Sequence, residues 1–223
     1  WAESFDRTID DIFDIQDELE IAGNLAEIGV YHGKLFILFC HCLRKGERAI
    51  AVDPFDTQPE IQGIKTKKDR QKFSSDNLKS NLASNGIGSD LVKLIVADSQ
   101  ALTGAELLNE FGSANIRIFS IDGDHSRDGV RHDLNLAAAT LSEGGIVLAD
   151  DLFNPICPSL TEGIIDFFRE DNQGSMEPVA IVSANGPKQT GAAKLIISDA
   201  SYASRYKAYL QLLNRTNYFH VDQ

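Results

Sequence analysis

Cysteine is scarce in this sequence, basic residues are outnumbered, and long apolar runs are missing. Three cysteines, Cys40, Cys42 and Cys157, are too few and odd in number for a disulfide framework. Cys40-His41-Cys42 would put its two thiols on different faces of a helix, so core packing is expected rather than chelation. Lys plus Arg number 21 against 33 Asp plus Glu, a net charge of −12. Such a surface lacks the basic footprint that phosphate neutralisation requires, which argues against a nucleic-acid partner. No stretch reaches the roughly 18 apolar residues of a membrane span, and no signal peptide is visible. A cytoplasmic protein with no membrane partner is expected, and a chain starting at Trp1 is expected to be a fragment or a trimmed product. Gly-x-Gly-x-x-Gly is also missing, which disfavours a nicotinamide oxidoreductase, and so is the Gly-Lys-Ser/Thr of a P-loop.

What is present is an alternation of strand-like and helix-like apolar stretches. With 223 residues, 43% of them hydrophobic, one substantial core is expected. An acidic helix over 8–19 leads into a strand at 25–30, a helix at 34–44 and a second strand at 48–52. A helix at 74–84, a strand at 91–97 and a helix at 101–109 follow, then a fourth strand at 116–121, a crossover helix at 129–141 and a fifth strand at 146–149. The pattern implies βαβ units in a mostly parallel sheet. After a helix at 160–169, runs at 179–183 and 193–198 flank a polar, turn-rich segment at 185–191 and read as an antiparallel edge hairpin. A last helix spans 202–213. The fold expected is α/β, a Rossmann-like three-layer sandwich with a mostly parallel seven-stranded sheet and an antiparallel edge hairpin. One domain is expected over 1–223: a helical extension at 1–23, the core at 24–198, and a helix and tail at 199–223. The segment 54–72 breaks the rhythm with Lys65, Lys67, Lys68, Arg70 and Lys72. It reads equally as a lid or basic patch and as a solvated loop.

Two acidic clusters end apolar strands. Asp122-Gly-Asp124-His125 closes the fourth strand, and Asp150-Asp151 closes the fifth. In a parallel sheet these ends lie side by side at the carboxyl edge, where ligands bind. Carboxylates crowded there repel unless a cation or a proton sits between them. Glu27-x-Gly29-x-x-x-Gly33 follows the first strand, with glycines that let the backbone approach a ligand. Asp53 ends the second strand, where a carboxylate can accept from a ribose diol. Asp98-Ser99 ends the third.

On Glu27, Gly29, Gly33, Asp53, Asp98-Ser99 and Asp122 at successive strand ends, residues 24–198 resemble the class I S-adenosylmethionine-dependent methyltransferases. The Ile121-Asp-Gly-Asp-His125 and Asp150-Asp151 elements look like the small-molecule O-methyltransferases of macrocin and catechol type. That resemblance implies S-adenosyl-L-methionine as cofactor, with Glu27, Gly29 and Gly33 facing its methionine part, Asp53 its ribose, and Asp98, Ser99 and Asp122 completing the site. Phe55 is a candidate apolar wall. The resemblance also implies Asp122, Asp150 and Asp151 as ligands of Mg²⁺ or another hard divalent cation, which their oxygens suit.

A hydroxyl attacks a methyl sulfonium only after losing its proton, so a base is needed. His125 is a candidate because its ordinary pKa lies near neutrality; Asp122 and Asp124 are alternatives. Bland readings stand beside these: Asp124 as a helix N-cap, His125 as a hydrogen-bonded neighbour of the ligands, and His32 and His132 as structural or exposed. Asn154 is a weak candidate for substrate contact. The expectation is metal-assisted O-methylation of a small-molecule acceptor, with self-association left open. The rivals are a metal-independent methyltransferase of the same fold acting on another atom, and a non-catalytic nucleotide-binding module.

Overall fold

Short apolar runs that are buried along their whole length belong in a sheet covered on both faces. Residues Asn24–Ile28 (β1), Ala49–Val52 (β2) and Ile116–Ile121 (β4) are buried at every position. In the computed structural model, which describes residues 3–55, 74–111, 116–183, 192–213 and 218–220, these runs join Val92–Ile95 (β3), Leu141–Leu152 (β5), Met176–Ser183 (β6), Ala193–Asp199 (β7) and Tyr218–His220 (β8). The sheet order is β3-β2-β1-β4-β5-β7-β6-β8. β1 to β5 are parallel, while β7 runs antiparallel to β5, β6 to β7, and β8 to β6.

The seven expected strands are therefore all found. The hairpin is antiparallel as expected, but its outer strand is not the edge: β8, in the stretch read as tail, pairs with β6 through Ile181 and Phe219 and covers it. The segments 56–73 and 185–191, including the lysine-rich stretch, lie outside the described residues.

Successive strand residues point to opposite faces, and two apolar clusters result. Ala49, Ala51, Ile118, Ile146, Leu148 and Ile196 meet Glu3–Glu18 (α1), Lys34–His41 (α2), Ser75–Ser84 (α3) and Ala203–Leu212 (α7). Ile50, Val52, Phe119, Val147, Ala149 and Ile197 meet Gly104–Phe111 (α4), Arg127–Thr140 (α5) and Pro158–Asp166 (α6). The outcome is the three-layer α/β sandwich. Among the described residues, no helix is long and apolar enough to cross a membrane.

The amino end of the sheet carries a charge that strand periodicity alone hides. Arg117, in the apolar run of β4, is fully buried. Its Nε and Nη2 donate to the two carboxylate oxygens of Glu47 at 2.9 Å each, and Nη1 donates to Gln16 Oε1 at 2.7 Å. Further bonds reach the carbonyls of Gly23 and Cys42. Gln16 donates back to the Arg117 carbonyl, and Tyr206 donates its hydroxyl to the Gly144 carbonyl. One guanidinium thus ties α1, the start of β1 and the end of α2 to the sheet.

Candidate active site

Loop chemistry at the carboxyl edge sets the site. After β1 the chain turns through Gly29 and Gly33, both at φ 81°. A Cβ on Gly29 would lie 1.8 Å from the Asp122 carbonyl oxygen, so only glycine lets the two loops touch. Gly33 opens α2 in the left-handed conformation. Between them Tyr31, at φ 53°, donates its backbone N–H to Asp53 Oδ2 at 2.9 Å. Asp53 Oδ1 accepts from the Phe55 N–H at 2.6 Å. Asp53 therefore braces the β1–α2 turn from the end of β2. Burial raises its pKa, and the backbone bonds from Tyr31, Phe55 and Val30 partly offset that rise.

Glu27, near the end of β1, is buried, and its Oε2 has no hydrogen-bond partner. Burial first, then the negative charge of Asp122, pushes its carboxyl well above the usual range. Asp122 follows β4. Burial, then Asp150 and Asp151, lift its pKa to about 7, against the pull of Lys194 and His125. Because 38% of its side-chain surface still meets solvent, that shift signals crowding and says little about stability.

His125 stands beside it, Nε2 2.6 Å from Asp151 Oδ2 and 3.7 Å from Asp122 Oδ1. The bond to Asp151 raises the His125 pKa, opposed by burial, and the same bond lowers that of Asp151. Asn154 donates to Asp151 Oδ1 at 2.9 Å, so among its described contacts it steadies a carboxylate of the cluster. Asp122, His125 and Asp151 each offer one ligand atom, and these atoms lie within 4.8 Å of one another.

The two adjacent acids of β5 part company. The pairing of β5 with β7 runs in register to Ala149–Leu195, breaks, and resumes at Leu152–Ala193. Inside that break Asp151 takes φ 61°, an uncommon conformation for a residue with a side chain. Asp151 meets His125, whereas Asp150 Oδ2 accepts from the ammonium of Lys194 on β7. Of the expected ligands, Asp122 and Asp151 are gathered into one group and Asp150 is held in an ion pair beside it.

The third-strand end is more ordinary. Asp98 caps a short 3₁₀ turn, Ser99–Ala101, by accepting from the Gln100 N–H. Ser99 is buried, and its carbonyl lies 3.0 Å from His132 Nε2, which gives His132 a structural contact. Phe55 is buried in the core on the α2 face. The N-cap of α5 is Ser126, whose Oγ accepts from the Gly129 N–H at 3.0 Å and donates to Asp124. Asp124 is thus not the cap; it is the cap's own acceptor.

A parallel sheet in the order 3-2-1-4-5, an antiparallel 7-6 pair, glycines after β1 and carboxylates at five neighbouring strand ends define a Rossmann-like, class I methyltransferase type of protein. The profile of a family described as "Methyltransferase domain" matches residues 26–152, and the chain belongs to that family. No curated protein matches the sequence significantly. Solved structures with the same fold include the O-methyltransferase NovP, 15% identical over 85% of this chain and 77% of that one, with a TM-score of 0.61. TomG, an O-methyltransferase of Streptomyces achromogenes in complex with SAM, is 18% identical over 85% and 78%, TM-score 0.57. An rRNA methylase from Streptococcus thermophilus is 11% identical over 88% and 96%, TM-score 0.58. At these identities the likeness is one of fold, and it spans acceptors of different kinds.

Proposed function

We propose that this chain, as one domain, transfers a methyl group from S-adenosylmethionine to a hydroxyl of a small molecule, with a hard divalent cation assisting. The observation that carries the reading is the gathering of Asp122, His125 and Asp151 next to the buried, unpartnered Oε2 of Glu27. An orphaned buried carboxyl oxygen costs free energy until a donor arrives, and the ammonium of the cofactor's methionine part is such a donor. Asp53 spends one acceptor position of each oxygen on the Tyr31 and Phe55 N–H groups. A carboxylate has about four such positions, so with the Val30 N–H also bonded one remains for a ribose hydroxyl. Asp98, Ser99 and Asp122 would complete the cofactor site.

The residues fit a hard cation as well: the two carboxylates suit Mg²⁺ or Mn²⁺, and no thiol belongs to the group. Asp122 and Asp151 would hold it, while Asp150 lies beside them in its ion pair with Lys194. When bound, the ion lowers the pKa of an acceptor hydroxyl and orients it. His125 is the proton acceptor through its other ring nitrogen: Nε2 keeps its hydrogen on Asp151, and the two carboxylates beside it stabilise the imidazolium once the proton has arrived. Holding nucleophile and methyl donor in line supplies much of the remaining acceleration. The net charge of −12 favours a small acceptor over a polyanionic one.

The test is transfer of labelled methyl from S-adenosylmethionine to a panel of phenolic, sugar and polyketide alcohols, with and without chelator. Turnover that stops with EDTA and returns with Mg²⁺ is expected. A chelator-insensitive rate would remove the cation, and no binding of S-adenosylhomocysteine would remove the cofactor assignment.

A further inference from the structure

Lys194 was not among the residues singled out from the sequence, yet it is the cation built into the carboxylate centre. It sits on β7 directly before Leu195, Ile196 and Ile197, is buried, and donates to Asp150 Oδ2. Its charge also opposes the upward shifts of Glu27 and Asp122, which burial causes in the first place. By strand parity Asp150 and Lys194 share the sheet face of Ile146, Leu148 and Ile196. Asp151 would belong to the opposite face in a regular strand. Asp151 meets His125 from inside the break in register, where its backbone is left-handed.

We infer that Lys194 is a positioning residue: by pairing with Asp150 it keeps that carboxylate in the sheet and leaves Asp122 and Asp151, the latter steadied by His125, as the carboxylates presented to a cation. The inference rests on the metal-assisted reading proposed above. Two consequences follow from charge and ligand count. A site of two carboxylates binds a hard divalent ion more weakly than one of three, because affinity follows the number of anionic oxygens. Removing the ammonium frees Asp150 to join, so loss of a cationic side chain tightens cation binding. A side chain that merely supported the fold would weaken binding when removed.

The experiment titrates the full-length chain with Mn²⁺, following the free-ion electron paramagnetic resonance signal, with S-adenosylhomocysteine affinity by calorimetry as a check on folding. Asp151→Asn and His125→Ala should each weaken Mn²⁺ binding by about tenfold or more, while Asp150→Asn should stay within about threefold of the parent. Lys194→Met should bind Mn²⁺ about tenfold more tightly, and the gain should vanish in Lys194→Met with Asp150→Asn. That double variant replaces a buried pair by neutral groups, so it remains testable if Lys194→Met alone leaves Asp150 stranded and does not fold. In that case the inference stands on Asp150→Asn and the double variant both staying within about threefold of the parent while Asp151→Asn does not. A loss in Asp150→Asn equal to that in Asp151→Asn overturns the inference and leaves the metal reading intact, as does a Lys194→Met that folds and binds no tighter than the parent. If neither the parent nor Lys194→Met binds Mn²⁺ while S-adenosylhomocysteine still binds, the metal reading falls and takes this inference with it.

Discussion

The two ends of the sheet hold two polar centres built to opposite standards. At the amino end, Arg117 is fully buried and its guanidinium meets Glu47, Gln16 and two carbonyls. Glu47 also accepts from the Arg44 and Gly23 N–H groups, and its bond to Arg117 brings its pKa below the usual range against the cost of burial. At the carboxyl edge, Glu27 keeps an oxygen without a donor, Asp122 is forced up toward neutrality, and Asp151 and Phe153 occupy left-handed backbone. A satisfied buried network specifies one arrangement of α1, α2 and the sheet. An unsatisfied one stores free energy that a ligand can release. The contrast separates residues that hold the fold from residues that await a partner.

The largest expected effect breaks the amino-end centre. Glu47→Ala leaves the Arg117 guanidinium buried with neither carboxylate oxygen, and removal of one partner of a buried pair costs about 3–5 kcal/mol. Urea denaturation should register that loss in full, and S-adenosylhomocysteine affinity should be unchanged in whatever fraction remains folded. The carboxyl-edge centre should respond the other way. Glu27→Gln keeps the shape but removes the acceptor charge; a hydrogen bond to a charged group contributes about 1.5–3 kcal/mol, so S-adenosylhomocysteine should bind roughly ten- to a hundredfold more weakly. Stability of the ligand-free protein should hold or rise, because the Glu27 carboxyl is already disfavoured by burial. Equal destabilisation by both changes would erase the distinction between the centres.

Strand periodicity made much of this legible and hid the rest for identifiable reasons. β1, β2, β4 and β5 are apolar runs long enough to announce a covered parallel sheet, and the acids at their ends stood out by contrast. Lys194 and Arg117 are single charges inside such runs. Period two assigns a residue to a face but says nothing of what waits there, and the partners lie 44 and 70 positions away in sequence. Asp150 and Asp151 are neighbours with equal chemistry, and period two does not say that the first meets Lys194 and that the second, inside the register break, meets His125. Asp124 and Ser126 are both good N-caps two positions apart, and the helix start at Arg127 chose the serine. β8 is three residues long, too short for its own periodicity to mark.

The smallest expected effect tests whether an unpartnered carboxyl always signals a ligand. Asp133 on α5 is fully buried, both its oxygens lack a donor at bonding geometry, and a Cβ on Gly123 would lie 2.9 Å from its Oδ2. Burial raises its pKa to about 6, and the neighbouring Ser99 hydroxyl and His132 only partly oppose the rise. In the unfolded chain an aspartate titrates near its ordinary value of about 3.9. Between those two values the folded protein holds the extra proton, so stability is intact below about pH 4 and declines as the pH climbs through about 6. Asp133→Asn carries no proton to lose. It should match the parent near pH 4 and exceed it by about 1–2 kcal/mol at pH 7, an allowance below the full two-unit shift for the desolvated amide. Because Glu27, Asp53 and Asp122 shift in the same direction, the informative quantity is the difference between parent and variant across thermal melts from about pH 4 to pH 7. If Asp133→Asn is instead no more stable at pH 7 and weakens S-adenosylhomocysteine binding, Asp133 belongs with Glu27 among the groups that await a ligand. A gain in stability with unchanged binding puts it with the fold, as an acid kept neutral by its surroundings.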